Sequence, residues 1–303
     1  MAQNAIKTEE EKWEYMDTPE VLDAKVSELA GWVRDSQYMS VFTGAGISTA
    51  AGIPDYRSGY GTIMDTGPGK WEKAALLDRY KNDHKKAGIE LPKAFTMPFN
   101  TTIAQAWPSL SHMALVKLMN EDILKYIVTQ NVDGLHIKSG IDMDKISELH
   151  GNGFTEVCVK CNRFHMRDYR TRTAKANTEH KTGALCDTPS CRGALKDTII
   201  NFGEALNTEV LQAATVQSGL SDLVLCMGSS MRVAPAMSLP IMSKVNRSKI
   251  VMMNLQKTPI DEMCDLIIYA KIDDVMKLLM EKLEMPIPEF QRDYRLKVEL
   301  SGD

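Results

Sequence analysis

A chain of 303 residues with 44% hydrophobic and 25% charged residues has the composition of a globular protein that buries a sizeable core. Its formal net charge of −4 gives no overall footprint for nucleic acid, so any such contact has to be local. No run approaches the roughly 18 apolar residues of a membrane span, and Met1 to Glu14 is polar and charged, which predicts neither a span nor a secretory signal. Six cysteines without an export signal point to reduced thiols and metal rather than disulfides.

Thr18-Pro19-Glu20 is a helix start: a capping hydroxyl, proline at the first helical position and an acid in the first turn. Leu22, Val26, Leu29, Ala30 and Val33 then share one face, predicting an amphipathic helix over 19–35. The apolar run Tyr38 to Phe42 reads as a buried strand that empties into Gly44-Ala45-Gly46. Gly44, Gly46 and Gly52 let the backbone turn sharply and approach a ligand closely. Ser48 and Thr49 are expected to cap a short helix whose free N–H groups face an anion such as a pyrophosphate. Pro54-Asp55-Tyr56-Arg57 adds a rigid turn, a carboxylate, an aromatic face and a guanidinium. The spacing fails the dehydrogenase fingerprint, whose third glycine follows sooner after the second. A corner without ligand is the plain alternative.

Residues 58–106 are the least legible. Gly59, Gly61, Gly67, Pro68 and Gly69 mark a loop, and Lys70 to Lys86 has weak helical character. A glycine-rich start suits a lid, and a surface insertion is the alternative. Gly67-Pro68-Gly69-Lys70 lacks the earlier glycine and the following Ser or Thr of a phosphate loop. Pro108 to Leu124 is expected to be helical, burying Leu110, Met113, Leu115, Leu118 and Met119. Strands follow at 126–129 and 145–149, with Gln130-Asn131-Val132-Asp133-Gly134 and His150 at their carboxyl ends, where open α/β sheets gather ligands.

Cys158-x2-Cys161 and Cys186-x4-Cys191 form a zinc-ribbon-like set. Four thiolates close the tetrahedral shell of a structural metal, with no open position for catalysis. His165 and His180 are the rival ligands. Arg163, Arg167, Arg170, Arg172, Lys175, His180 and Lys181 make this insert basic, either as a solvated face or as a contact for an acidic partner. Ala194 to Phe202 is expected to rejoin the main sheet. Leu223 to Met227 is a buried strand ending in Gly228-Ser229-Ser230, and Lys249 to Met253 is another, tipped by Asn254 and Gln256. Cys226 and Cys264 read as small buried hydrophobes. A strand at 266–269, a helix at 273–283 and an extended tail finish the chain. Strand–helix alternation of this kind predicts a doubly wound parallel sheet.

Gly44 to Ser48, Thr129 to His136, Glu148-Leu149-His150-Gly151-Asn152, Asn254-Leu255-Gln256 and the four paired cysteines together resemble the sirtuins, from about residue 20 to about 285. Leu195 to Ile199, Ser111 to Leu115 and Asn254-Leu255-Gln256 are most similar to the class IV branch. The resemblance implies a Rossmann-like NAD-binding domain at 19–153 and 195–285, with 58–106 as cofactor loop and small-domain helices. It implies a zinc module at 154–194, and tails at 1–18 and 286–303.

The implied activity is NAD-dependent protein-lysine deacylation with one structural zinc ion. NAD is consumed, and nicotinamide and acyl-ADP-ribose are released. His150 is then the general base on a ribose hydroxyl, and Asn131 and Asp133 hold the nicotinamide amide and ribose. Tyr56 shields the sugar face, and Arg57 with the amides of Ala45 and Gly46 meets the pyrophosphate. Gly44, Ser48, Thr49, Asp55 and Gln130 complete the pocket. Gly228, Ser229 and Ser230 match the phosphate–ribose portion, Asn254 and Gln256 the adenosine ribose, and Ile272 the adenine edge. A tryptophan common in this branch shortly after the arginine is missing from Gly59-Tyr60-Gly61-Thr62-Ile63. That departure leaves protein mono-ADP-ribosyl transfer open, beside an NAD-sensing chromatin scaffold with little turnover. The implied partner is an acyl-lysine protein such as a histone, with nucleosome contact through the basic insert and no membrane. The branch implies a nuclear location, the cytoplasm being the alternative to it.

Overall fold

The computed structural model describes residues 10–59, 61–85, 103–172 and 179–291. Tyr60, Lys86, Lys175 and the outer parts of both tails, on which some sequence expectations fall, lie outside them.

Helix α1 (Pro19–Asp35) starts as its sequence dictates. The Thr18 side chain accepts from the Val21 N–H at 3.4 Å, and Val26, Leu29, Ala30 and Val33 are buried. The helix delivers the chain to β1 (Met39–Thr43), whose five residues are all buried. A polar loop then leads to α2 (Lys70–Lys85). Helix α3 (Leu110–Asn120) opens with a capping box in which Ser109 and His112 satisfy each other's backbone N–H. It is shorter than the sequence suggests: Asp122 turns left-handed (φ 57°), and β2 (Leu124–Thr129) begins at once. Helix α4 (Leu135–Ser139) and β3 (Ile146–Glu148) complete this half.

A second sheet follows: β4 (Thr155–Cys158), β5 (Phe164–Met166), β6 (Lys181–Leu185) and β7 (Ala194–Asp197), in the antiparallel order β5-β4-β7-β6. The expectation that residues 194–202 rejoin the main sheet is therefore corrected. Leu195 packs on Cys158 and Cys186, and Lys196 stands exposed opposite Val157. Such alternation belongs to a half-buried antiparallel strand, not to the continuous apolar run of a buried parallel one. After β7 the chain runs back toward the large sheet as a loop.

Helix α5 (Thr208–Leu220), β8 (Leu223–Met227), α6 (Leu239–Met242), β9 (Lys249–Met253), β10 (Leu266–Ile268) and α7 (Ile272–Lys282) close the chain. The main sheet is wholly parallel, in the order β10-β9-β8-β1-β2-β3. α1, α3 and α7 contribute to the core on one face, and α5 and α6 pack on the other. From β1 the chain steps to β2 on one side and later to β8 on the other. This reversal makes the carboxyl ends of β1 and β8 the switch point, where their loops diverge and leave a crevice.

Candidate active site

The crevice begins with a backbone crossing. The N–H of Gly44 donates to the Met227 carbonyl at 3.0 Å and that of Gly46 to the Gly228 carbonyl at 2.8 Å. A Cβ on Gly46 would lie 2.6 Å from the Gly228 Cα, and one on Gly44 would lie 2.7 Å from the Ser229 Cα. These glycines are thus required by the close approach of the loops after β1 and β8. The Gly46 amide, expected at a pyrophosphate, is already engaged.

Ala45 to Ala51 form a 3-10 helix whose cap position is Gly44. The expectation that Ser48 and Thr49 cap it is corrected, because both lie inside the turn. Ser48 Oγ donates to Asp133 Oδ2 at 2.7 Å, and Thr49 Oγ1 donates to the Gly46 carbonyl at 2.9 Å. Asn131 Nδ2 donates to the Gly44 carbonyl at 3.0 Å, and Asp133 Oδ1 accepts from the Leu135 N–H at 3.0 Å. Burial raises the Asp133 carboxyl above its ordinary value, against the hydrogen bonds from Leu135 and Ser48 that lower it. These contacts fasten the loop after β2 to the glycine corner.

His150 follows β3. Its Nδ1 lies 3.0 Å from the Gln130 carbonyl, which only accepts, so Nδ1 carries the proton and Nε2 keeps its lone pair. Burial lowers the imidazole pKa and the Gln130 bond opposes this, favouring a neutral base. Gln130 Nε2 in turn donates to Ser229 Oγ at 3.1 Å.

A cavity of about 390 Å³ occupies the crevice. Of the residues expected there, Gly44, Ala45, Gly46, Thr49, Asp55, Tyr56, Arg57, Gln130, Asn131, His150, Gly228, Ser229, Ser230, Asn254, Gln256 and Ile272 line it. Ser48 and Asp133 do not; they form the buried layer behind Asn131. Asp55 holds its own loop, accepting from Ser58 Oγ at 2.6 Å.

The wall also contains residues that sequence reading missed. Trp71, at the start of α2, packs with its ring 5.4 Å from that of Tyr56 and 5.8 Å from that of Phe202, both tilted, with the Arg57 guanidinium 4.4 Å over its ring. Burial, with Arg232 nearby, lowers the Arg57 pKa to about 10, which leaves it cationic at neutral pH. Phe202 comes from the loop after β7, and Arg170 and Arg172 of the basic insert line the cavity as well. Glu14, read as tail, lines it too. Only chain-distant packing places these groups. The one available signal was the aromatic and basic character of Trp71, Phe202, Arg170 and Arg172.

In the small sheet, the Sγ atoms of Cys158, Cys161, Cys186 and Cys191 all lie within 4.8 Å of one another, and this is the single such cluster among the described residues. Two of the separations are 3.5 and 3.7 Å. Zinc–sulfur bonds of about 2.3 Å in a tetrahedron require roughly 3.8 Å, so the four thiolates fit a structural zinc ion. His165 Nε2 stands 3.4 Å from Cys186 Sγ and His165 Nδ1 3.3 Å from Asp187, supporting a ligand sulfur rather than replacing one. His180 is engaged elsewhere, with Asp197 and Glu204. Cys226 is fully buried in β8, and burial raises the Cys264 thiol to about 12, so neither is reactive.

A Rossmann-like parallel domain with a crevice at its switch point, joined to a four-thiolate module that lends the crevice one wall, defines the class of this protein. The sequence profile of the Sir2 family matches residues 44–235, and the chain belongs to that family. It is 39% identical over 280 residues to NAD-dependent protein deacetylase SRT1 of Arabidopsis thaliana, covering 92% of this chain and 53% of that one. It is 38% identical to NAD-dependent protein deacetylase sirtuin-7 of Homo sapiens over 92% of this chain and 65% of the relative. The chain thus spans about half to two thirds of the length of these relatives. Among solved structures it is similar to Sir2 with p53 peptide and NAD+ (TM-score 0.59, 27% identity, 86% of this chain and 99% of that one). It is also similar to a Sir2 variant with deacetylated p53 peptide and 3'-O-acetyl ADP ribose (TM-score 0.62, 27% identity, 86% and 100%).

Proposed function

We propose that this chain is an NAD-dependent protein-lysine deacylase. The observation that carries the reading is His150. Its Nδ1–H is held by the Gln130 carbonyl, and the ring lines a cavity shared with Asn131 and with the glycine corners of β1 and β8. The residues lining that cavity fit a dinucleotide: backbone corners and Arg57 for an anionic centre, and small donors at Ser229, Ser230, Asn254 and Gln256 for hydroxyls. Bound NAD supplies an electrophilic sugar carbon once nicotinamide leaves, and the acyl group ends on ADP-ribose.

The protein's own part is positioning and proton transfer. His150 Nε2 takes a proton from a ribose hydroxyl, and the Gln130 carbonyl fixes the tautomer that makes this possible. Asn131 is oriented by the Gly44 carbonyl, and Asp133 acts from behind it by holding Ser48 and the Leu135 N–H. Tyr56, Trp71 and Phe202 exclude water from the sugar face. Cys158, Cys161, Cys186 and Cys191 would hold a zinc ion that shapes the small sheet, with no position left open for it to take part in the chemistry. Incubation with NAD and acetyl- or long-chain acyl-lysine peptides tests the reading: nicotinamide and acyl-ADP-ribose should form together. ADP-ribose attached to protein, with the acyl group retained, would favour the transferase reading instead.

A nuclear, chromatin-directed role with histone substrates is part of the proposal, and its support is the class IV-like resemblance of Ser111 to Leu115, Leu195 to Ile199 and Asn254-Leu255-Gln256. The basic insert supports it less than its sequence suggests. Arg167 is neutralised by Glu156 and Asp187, and Arg170 and Arg172 border the cavity. Nucleosome binding through this insert should weaken steeply with added salt; salt-independent binding would remove it.

A further inference from the structure

Residues 11–17 precede the first helix and run across the carboxyl edge of the sheet. The Tyr15 N–H donates to the Leu255 carbonyl at 2.8 Å, Gln256 Nε2 donates to the Lys12 carbonyl at 3.2 Å, and the Asp17 N–H donates to the Tyr269 carbonyl at 2.8 Å. The Tyr15 ring rests 5.2 Å from that of Tyr269. These contacts seat the segment on the loops after β9 and β10.

From that seat the segment reaches across the crevice. Glu14 Oε1 accepts from Thr62 Oγ1 at 2.7 Å, and Glu14 Oε2 accepts from the Ile63 N–H at 2.8 Å. Thr62 Oγ1 in turn accepts from the Met64 N–H at 3.2 Å, and Met64 lines the cavity. Lys12 pairs with Glu72 on α2 at 3.2 Å, beside Trp71, and Glu11 pairs with Arg232 at 3.2 Å in the loop after β8. One short segment therefore ties together four loops of the rim, those after β1, β8, β9 and β10.

We propose that Glu14 is a positioning residue of the cofactor site. Its carboxylate bridges Thr62 and Ile63 and so holds residues 61–72, with Met64 and Trp71, in place against the fixed Asn254–Gln256 edge. The bridge has geometry that a surface ion pair lacks: both carboxylate oxygens are used, one on a backbone N–H, in a half-buried position on the cavity wall. Loss of the bridge leaves the fold intact, because the strap keeps its backbone bonds to Leu255 and Tyr269. It releases the loop, and an NAD-binding protein then has to order that loop as it binds. This inference rests on the NAD reading of the cavity.

The test compares the full chain with Glu14→Ala and Glu14→Gln in two measurements. In ligand-free protein, amide exchange at Ile63 should accelerate in Glu14→Ala while exchange in β1 and β8 stays unchanged. In the second measurement, KM for NAD should rise about tenfold in Glu14→Ala, with KM for the acyl peptide within about twofold, and Glu14→Gln should fall between. Unchanged Ile63 exchange overturns the bridge. Faster exchange with unaltered KM for NAD overturns its coupling to the cofactor. Should the unsubstituted chain bind no NAD, the functional reading falls, while Ile63 exchange still decides the bridge.

Discussion

At the residue scale the account depends on one imidazole. The titration of His150 is set by two opposed effects: burial lowers its pKa, and the Gln130 carbonyl bond partly restores it. With a folded pKa below the ordinary value of about 6.5, His150 stays neutral through pH 7 and loses its base form only on acidification. The acid limb of kcat/KM should therefore fall below about pH 6.5; a limb above that value would mean a charged neighbour raises the group or another residue is the base. His150→Ala is expected to lower kcat by at least about 100-fold while calorimetry finds NAD affinity little changed. Turnover near the unsubstituted rate would remove His150 from the role. The place of His150 on the cavity wall was legible from its company, at a strand's carboxyl end like Gln130 to Gly134, although a lone histidine is more often structural. Glu14 and Trp71 were not legible: a charged residue ahead of the first helix and a tryptophan in a weakly patterned helix become wall residues only through contacts across the crevice.

At the scale of elements, the glycine corner and the small sheet make separate demands. Gly46→Ala would press a methyl group 2.6 Å from the Gly228 backbone, with no flexible side chain to yield. Thermal unfolding should show a loss of about 1–3 kcal/mol together with weakened NAD binding; a variant as stable as the parent would contradict the close approach. The small sheet buries little apolar surface of its own, chiefly Leu195 against Cys158 and Cys186, so metal ligation has to supply its stability. Removing zinc with a chelator, or Cys158→Ser, should unfold it while the parallel sheet persists, seen as loss of amide protection confined to β4–β7. Full protection without metal would refute the structural role. The sequence revealed β1, β8 and β9 nearly residue for residue, since a parallel strand buried on both faces is a continuous apolar run. It misassigned β7 because four residues of alternating burial carry no mark of which sheet they join.

At the scale of the whole molecule, the parallel sheet, the polar groups at its carboxyl edge and the thiolate module all followed from patterns of a few residues each, while the switch point emerged only with the strand order. The joining of the two parts did not follow from them either. It is made by the loop from β7 through Ile200, whose N–H donates to the His150 carbonyl at 3.0 Å, and by Phe202 meeting Trp71. The cavity is thereby walled by both sheets' loops, which is what a reaction between a dinucleotide and a protein side chain demands: two substrates meeting away from water. The most direct measurement is mass-resolved product analysis of an acetyl-lysine peptide with NAD, run with the full chain. Equal amounts of free lysine peptide, nicotinamide and acetyl-ADP-ribose are expected, with formation of the free peptide and acetyl-ADP-ribose slowed at least about 100-fold in His150→Ala. Deacylation that proceeds without NAD, or nicotinamide release that leaves the acetyl group in place, would contradict the account.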